Sequence, residues 1–280
     1  MRENPGRRVD MLCELFGVSR SGFYRHACGA TAPRVGRRRE AAARIRELFG
    51  ESKRTYGYRR IRMALARSGL ALNRKTVAAI MRAEGLRGRR PGRFRPTTTD
   101  SDHADPIAPN LLALCDPVRP DTVWQTDITY IETGEGWVYL AGIIDAHTRR
   151  IVGWACAPNM ETSLVLRALD NAVNARRPGA GLLHHSDRGS QYASHEYRVR
   201  LNELGFIPSM SRRGNCYDNA ATESFWSTLK LECLYRLKIA TRAEVEPILF
   251  SYIDGWYNTR RLHSSLGYQS PLDFEKSLTI

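Results

Sequence analysis

The chain has 280 residues, 42% of them apolar, enough for one large domain or two modest ones with ordinary cores. It contains no long apolar run, no CxxC pair among its six scattered cysteines and no secretory start, which argues against a membrane span, a disulfide framework or a cysteine zinc site and favours a reduced, cytoplasmic setting. The formal net charge of +14 is segregated: residues 1–110 carry 25 Lys and Arg against 10 Asp and Glu, while 111–280 carry 18 against 19, the pattern of a polyanion-binding module joined to a near-neutral one.

At the start, "VDMLCELF" (9–16) reads as a helix with Val9, Leu12, Leu15 and Phe16 on one face and Gly17 as its stop, and Ser19 is placed to cap a second helix. Residues 37–90 read as three helices. "REAAARIRELFGES" sets Ala41, Ile45, Leu48 and Phe49 on one stripe, and "YGYRRIRMALARSG" does the same with Tyr58, Ile61 and Leu65. "NRKTVAAIMRAEG" offers Asn73 as N-cap, Val77, Ile80 and Met81 as a buried face, and Gly85 as the stop. Only "SGLAL" separates the last two, the spacing of a helix-turn-helix. Arg74 and Lys75 then open the candidate recognition helix, and Arg59 and Arg60 on the helix before it are further candidate DNA contacts. A plain structural three-helix unit has the same pattern; the local arginine density favours DNA. "GRRPGRFRPTTTDSDHADP" (88–106), without periodicity and rich in Pro, Gly and charge, reads as a linker.

After Leu111 the texture changes. "TVWQTDITYIE", "GWVYLAGIIDA" and "RRIVGWACAP" are β-branched and aromatic runs joined by tight connections, hence a meander. A helix follows from Met160, ending before Pro178, then a short strand in "AGLLHHSD", a helix in "SHEYRVRLNELG", a fifth strand in "FIPSM", and closing helices in "NAATESFWSTLKLECL" and "RAEVEPILFSYIDGWYNT". This order predicts an α/β fold, a mixed five-stranded sheet with flanking helices, preceded by a small all-α unit.

Three acids stand out in this second half. Asp127 interrupts a strand whose neighbours all suit a packed, pleated surface, where Asp is depleted. Asp187 follows the fourth strand directly, at the kind of carboxyl end where α/β sheets place their sites. Glu223 sits on a helix, with Asn219 four residues before it and Lys230 seven after it on the same face. Each alone has a bland explanation: a buried hydrogen bond or an edge position for Asp127, a solvated surface for Lys230. Together they are a problem of charge. Adjacent carboxylates repel, and one takes a proton unless a cation lies between them. Hard divalent ions want oxygen ligands, and a pair of them roughly 3.5–4 Å apart suits phosphodiester chemistry. Lys230, two turns from a metal ligand, fits a DNA phosphate as well as it fits solvent. Asp145 reads as a turn former, and His184 and His185 as packing or hydrogen-bonding residues.

The order Asp127, Asp187, Glu223, with 35 residues between the last two and Lys230 seven further on, resembles the DD(35)E signature of retroviral-type integrases and bacterial insertion-sequence transposases. The words "WQTDITYI", "HSDRGSQY", "GNCYDNAATESFWSTLK" and "YNTRRLHSSLGYQSPLDF" are similar to the OrfB transposase subunit of insertion-sequence family three, over essentially 40–275. The resemblance implies a ribonuclease-H-like core in which Asp127 and Asp187 share one Mg²⁺ (or Mn²⁺) and Asp127 and Glu223 the other. It also implies cleavage at the ends of an element, followed by attack of the released 3′ hydroxyl on another phosphodiester. Nothing in the residues themselves separates strand transfer from hydrolysis.

On this basis the expected organisation is a short helical segment over 1–35, a remnant of a helix-turn-helix; a basic helix-turn-helix domain over 36–96; a linker over 97–117; and an integrase-type core over 118–276. Expected partners are DNA, other copies of the chain on DNA, and the upstream-frame helix-turn-helix protein as fusion or partner; no membrane is involved. Competing readings are a catalytically inactive DNA-binding regulator, against which the complete acidic set argues, and a ribonuclease-H-like nuclease, which the basic helical module disfavours.

Overall fold

A computed structural model describes residues 5–27, 32–88, 106–211 and 220–278. The chain divides into two compact units, Met1–Gly88 and Arg89–Ile280.

The first unit is helical: α1 (Pro5–Leu15), α2 (Arg20–Ala27), α3 (Ala32–Glu51), α4 (Tyr58–Arg67) and α5 (Arg74–Ala83). The apolar stripes of α3, α4 and α5 pack on one another, burying Ile45, Phe49, Ile61, Leu65, Val77 and Ile80. Asn73 caps α5 as its sequence suggests, its side chain accepting the Thr76 N–H at 2.8 Å. Gly69 and Gly85 adopt the left-handed φ that ends α4 and α5. Arg46 binds Glu84 at 2.6 Å, tying α3 to the end of α5. The expected apolar face of α1 is not buried: Leu12, Leu15 and Phe16 are exposed, and the position that packs is Cys13.

In the second unit β1 (Val123–Thr133), β2 (Gly136–Asp145) and β3 (Ile151–Ala157) form the expected antiparallel meander. Then come α6 (Thr162–Arg176), β4 (Leu183–Ser186), α7 (Ser190–Ala193), α8 (His195–Glu203), β5 (Ile207–Met210) and α9 (Ala220–Glu232). The sheet order is β3-β2-β1-β4-β5, with β4 and β5 parallel to β1, which is the mixed five-stranded sheet expected of a ribonuclease-H-like core. Trp124, Ile143, Leu164, Leu169, Tyr197 and Phe206 anchor a core between one sheet face and α6, α7 and α8.

The expected closing helix over 242–259 is present as one continuous run over 242–257 whose winding changes along its length. A 3₁₀ turn over Arg242–Glu244 opens with a Thr241–Glu244 capping box, α10 covers Val245–Tyr252, and Ile253–Tyr257 widens into a π-turn. The π-turn delivers Asn258, whose amide both accepts from and donates to the Ile151 backbone at 2.9 Å, closing the free edge of β3. A last helix, α11 (Pro271–Ser277), is capped by Ser270.

Candidate active site

Strand pairing brings two of the three acids to one place. β1 and β4 run parallel with Gln125 beside His185, and β4 ends at Ser186. Asp127 and Asp187 are each two residues further along, so both lie just past the carboxyl end of the paired rungs, close enough for the charge of Asp187 to act on Asp127. The third acid arrives on α9, which packs against β1 and β2 and carries Glu223, exposed, in its first turn.

Asp127 has defined partners. Its Oδ1 accepts the Ile128 N–H at 2.8 Å and its Oδ2 accepts the Trp226 indole N–H at 3.0 Å. The residue keeps some solvent contact, yet burial of its carboxyl is the largest influence on its proton affinity. Burial, then the charge of Asp187, push the Asp127 pKa up to about 7; the Ile128 and Trp226 N–H groups pull it back, and the charge of Glu223 adds to the rise. Asp187 and Glu223 therefore both act electrostatically on Asp127. The three acids do not form a closed cage: among the described residues no group of three His, Cys, Asp or Glu side chains is assembled to hold a metal ion as it stands.

That arrangement fits a divalent cation chemically. The donor set is all oxygen, Asp127 retains lone pairs beyond its two hydrogen bonds, and burial first, then the charges of Asp187 and Glu223, disfavour its bare carboxylate, a cost that a bound cation would offset.

Asp187 is part-exposed, with Oδ1 accepting the Gly189 N–H at 3.0 Å, which fixes the loop after β4. The Lys230 ammonium lies 4.6 Å from the centre of the Tyr130 ring. Burial lowers its pKa while the charge of Asp127 opposes that shift, so the cation lies within the field of Asp127. Asn219 falls outside the described residues. Arg59, Arg60, Arg74 and Lys75 belong to the helical unit. Arg74 and Lys75 are exposed in the first turn of α5, while Arg59 and Arg60 lie over the rings of Tyr58 and Tyr56.

The residues set aside in the sequence have structural duties. His184 bonds the Tyr197 hydroxyl at 2.7 Å, and burial, then His185, lower its pKa to about 3. His185 bonds Ser209 and Ser211 at 2.8 and 3.0 Å. Asp145 organises the β2–β3 turn by accepting from the N–H groups of His147, Thr148 and Asp121.

Two features escaped the sequence. Trp226 reads there as one more core aromatic, but it is the hydrogen-bond partner of Asp127. Glu232 and Arg261 form a buried pair, with Arg261 donating Nε–H and Nη2–H to the two carboxylate oxygens at 2.9 and 2.8 Å and Tyr252 adding its hydroxyl at 3.0 Å. The pair clamps the end of α9 to the segment after the π-turn. A charged residue in an apolar helix face, Glu232, was the available signal.

Family models described as "Integrase core domain" match residues 117–216 and 204–271, and one described as "HTH-like domain" matches 37–94. The chain is 42% identical over 266 residues to the "Insertion element IS600 uncharacterized 31 kDa protein" of Shigella sonnei, covering 95% of this chain and 97% of that one. It is 41% identical over 234 residues to the "Transposase for insertion sequence element IS904" of Lactococcus lactis, covering 83% and 92%. It is 36% identical over 270 residues to the "Transposase InsF for insertion sequence IS3A" of Escherichia coli, covering 95% and 93%.

Proposed function

Because this chain belongs to the family of insertion-sequence transposases with an integrase core, we propose that Asp127, Asp187 and Glu223 are its divalent-metal ligands and that they carry both DNA cleavage and strand transfer. The observation behind the assignment is the placement of Asp127, on the strand paired with the one that leads into Asp187 and bonded to Trp226 of the helix that carries Glu223, with its carboxyl pushed toward protonation by burial and then by those two carboxylates. Mg²⁺ or Mn²⁺, two ions by the resemblance, would supply charge neutralisation for the phosphate and activation of the attacking oxygen.

The chain's own residues prepare the rest. The sheet holds Asp127 and the β4 end holds Asp187, so two ligands stand on a rigid frame. Glu223 completes the set from α9, and Lys230 on that helix offers its ammonium to a DNA phosphate. In each reaction an oxygen nucleophile forms one P–O bond as another breaks, and the leaving oxygen takes a proton. Water as nucleophile gives cleavage; a 3′ hydroxyl gives strand transfer. One bond replaces one bond, so no outside energy source is required.

The helical unit supplies DNA affinity. Arg74 and Lys75 sit at the positive end of α5, whose first turn carries no acidic residue. Cations there are unfavourable for the isolated helix and favourable against an anion, which is the arrangement of a phosphate contact.

The test is a cleavage and strand-transfer assay in Mg²⁺ or Mn²⁺ on DNA carrying the native element ends. Wild type is expected to yield both products, and Asp127→Asn, Asp187→Asn and Glu223→Gln to lose them while still binding DNA. Binding with no metal-dependent product from wild type would favour the inactive regulator. Products that persist in the variants would remove these residues from the site.

A further inference from the structure

Three observations meet at the Asp127 position. Trp226 lies one helical turn after Glu223 on α9 and donates its indole N–H to Asp127 Oδ2 at 3.0 Å. Asp127 pairs across the sheet with Gly142 of β2. The indole ring fills the space a side chain at 142 would need: a Cβ there would come within 2.6 Å of Trp226 Cη2 and 3.3 Å of Cζ2. Glycine in the middle of a strand weakens it unless something must approach the backbone closely, and here the approaching group is the ring that holds the acid.

An indole N–H is a donor only; it neither titrates in the working range nor competes for a hard cation. Its polar effect on Asp127 is to fix one oxygen while the remaining lone pairs stay available. We propose that Trp226 is a positioning residue, seated in the gap left by Gly142, that sets the orientation in which Asp127 presents its lone pairs to a divalent cation and couples that orientation to the helix carrying Glu223. The inference rests on the ligand assignment made above. It adds an outer-shell donor of the kind whose loss typically weakens metal binding about 10–100-fold. If the ring served only as core filling, the N–H would be dispensable and Phe would do.

The experiment is a thermal-melting titration of the full chain with MnCl₂ and no DNA, on wild type, Asp127→Asn, Trp226→Phe, Gly142→Ala and the Gly142→Ala/Trp226→Phe double variant. Wild type is expected to gain a Mn²⁺-dependent rise in melting temperature that Asp127→Asn lacks. Trp226→Phe, which keeps an aromatic ring and removes the N–H, should need about ten times more Mn²⁺ for the half-maximal rise. Gly142→Ala keeps the indole and displaces it, so it should shift the titration in the same direction; should Trp226→Phe fail to fold, this variant carries the same expectation. The double variant should be no worse than Trp226→Phe, because the smaller ring no longer meets the new Cβ. A Trp226→Phe titration within twofold of wild type overturns the inference and leaves the ligand assignment standing. Strict additivity of the two substitutions overturns the role of Gly142. A wild type with no Mn²⁺ response, or an Asp127→Asn response equal to wild type, overturns the ligand assignment itself, and the inference with it.

Discussion

Replacing either half of the Glu232–Arg261 pair should damage the core far more than replacing both. Glu232 and Arg261 are 6% and 4% exposed, so neither charge has water to fall back on. Burial alone depresses the guanidinium pKa, and the charge and hydrogen bonds of Glu232 more than reverse this, leaving it raised. Glu232→Leu strands the cation, and Arg261→Met strands the carboxylate; breaking a buried pair in this way costs about 3–5 kcal/mol. The double variant removes both charges and costs mainly the hydrogen bonds that Tyr252 donates to Glu232 and His263 accepts from Arg261, about 1–3 kcal/mol. Two single losses would sum to about 6–10 kcal/mol, so the coupling should be roughly 3 kcal/mol or more. Urea unfolding followed by tryptophan fluorescence is a clean assay, because all five tryptophans (124, 137, 154, 226 and 256) lie in the second unit and report it alone. Additive variants, or single losses under about 1 kcal/mol, would refute the reasoning. The double variant should also cleave DNA more slowly than its folded fraction accounts for, since the pair anchors the helix that carries Glu223.

Further expectations concern charge and close packing. The folded pKa of Asp127, about 7, lies above its ordinary 3.8; between those values the folded chain holds the proton more tightly than the unfolded one. In a divalent-free buffer stability should therefore fall as pH rises from about 4 to about 7 and level off above, and Mn²⁺ at pH 8 should restore it; a melting temperature that rises across this window would contradict the assignment. Asp187→Asn removes the second-largest contribution to that rise, so the pH-dependent loss should shrink in it. Arg74→Ala and Lys75→Ala should each lower the slope of log affinity against log salt by about one in a DNA titration, and an unchanged slope would dissociate them from phosphate contact. Gly153→Ala should destabilise the core by about 1–3 kcal/mol or more in the urea assay, because the new Cβ would fall 2.5 Å from the Ala168 carbonyl oxygen of α6.

Local structure was legible wherever one side chain answers one local need. Asn73 at a helix start, Gly85 at a helix end and the β-branched runs of β1 to β3 announce themselves because capping and strand propensity are short-range. The closing helix was legible as one helical run, but its 3₁₀ start and π-type end carry no local signal, and the Asn258 contact that follows reaches a strand edge more than a hundred residues away. α7 has only four residues and no room for periodicity, whereas α11 did carry a signal in Ser270 followed by Pro271 at the first helical position. The apolar stripe of α1 was visible, but periodicity gives no information on whether a face is covered. In the proposed site, Asp127 stood out by its setting in a packed strand and Asp187 by its place after the fourth strand, while Glu223 was singled out by its spacing from them. Their mutual influence depends on the parallel pairing of β1 with β4 and on how α9 crosses the sheet, which no local pattern encodes. The service of Trp226 to Asp127 was invisible for a simpler reason: an aromatic beside Phe225 in a buried helix face looks like filling.

The pairing of β1 with β4 spans only three rungs, Val123 to Gln125, and Asp187 projects just past them. Adding or deleting a single residue between Leu183 and Asp187 would slide that acid about 3.3 Å along its neighbour and turn it to the opposite side of the sheet. In this stretch length is under as tight a constraint as chemistry, so a frame-preserving insertion there should be as damaging as changing the aspartate itself.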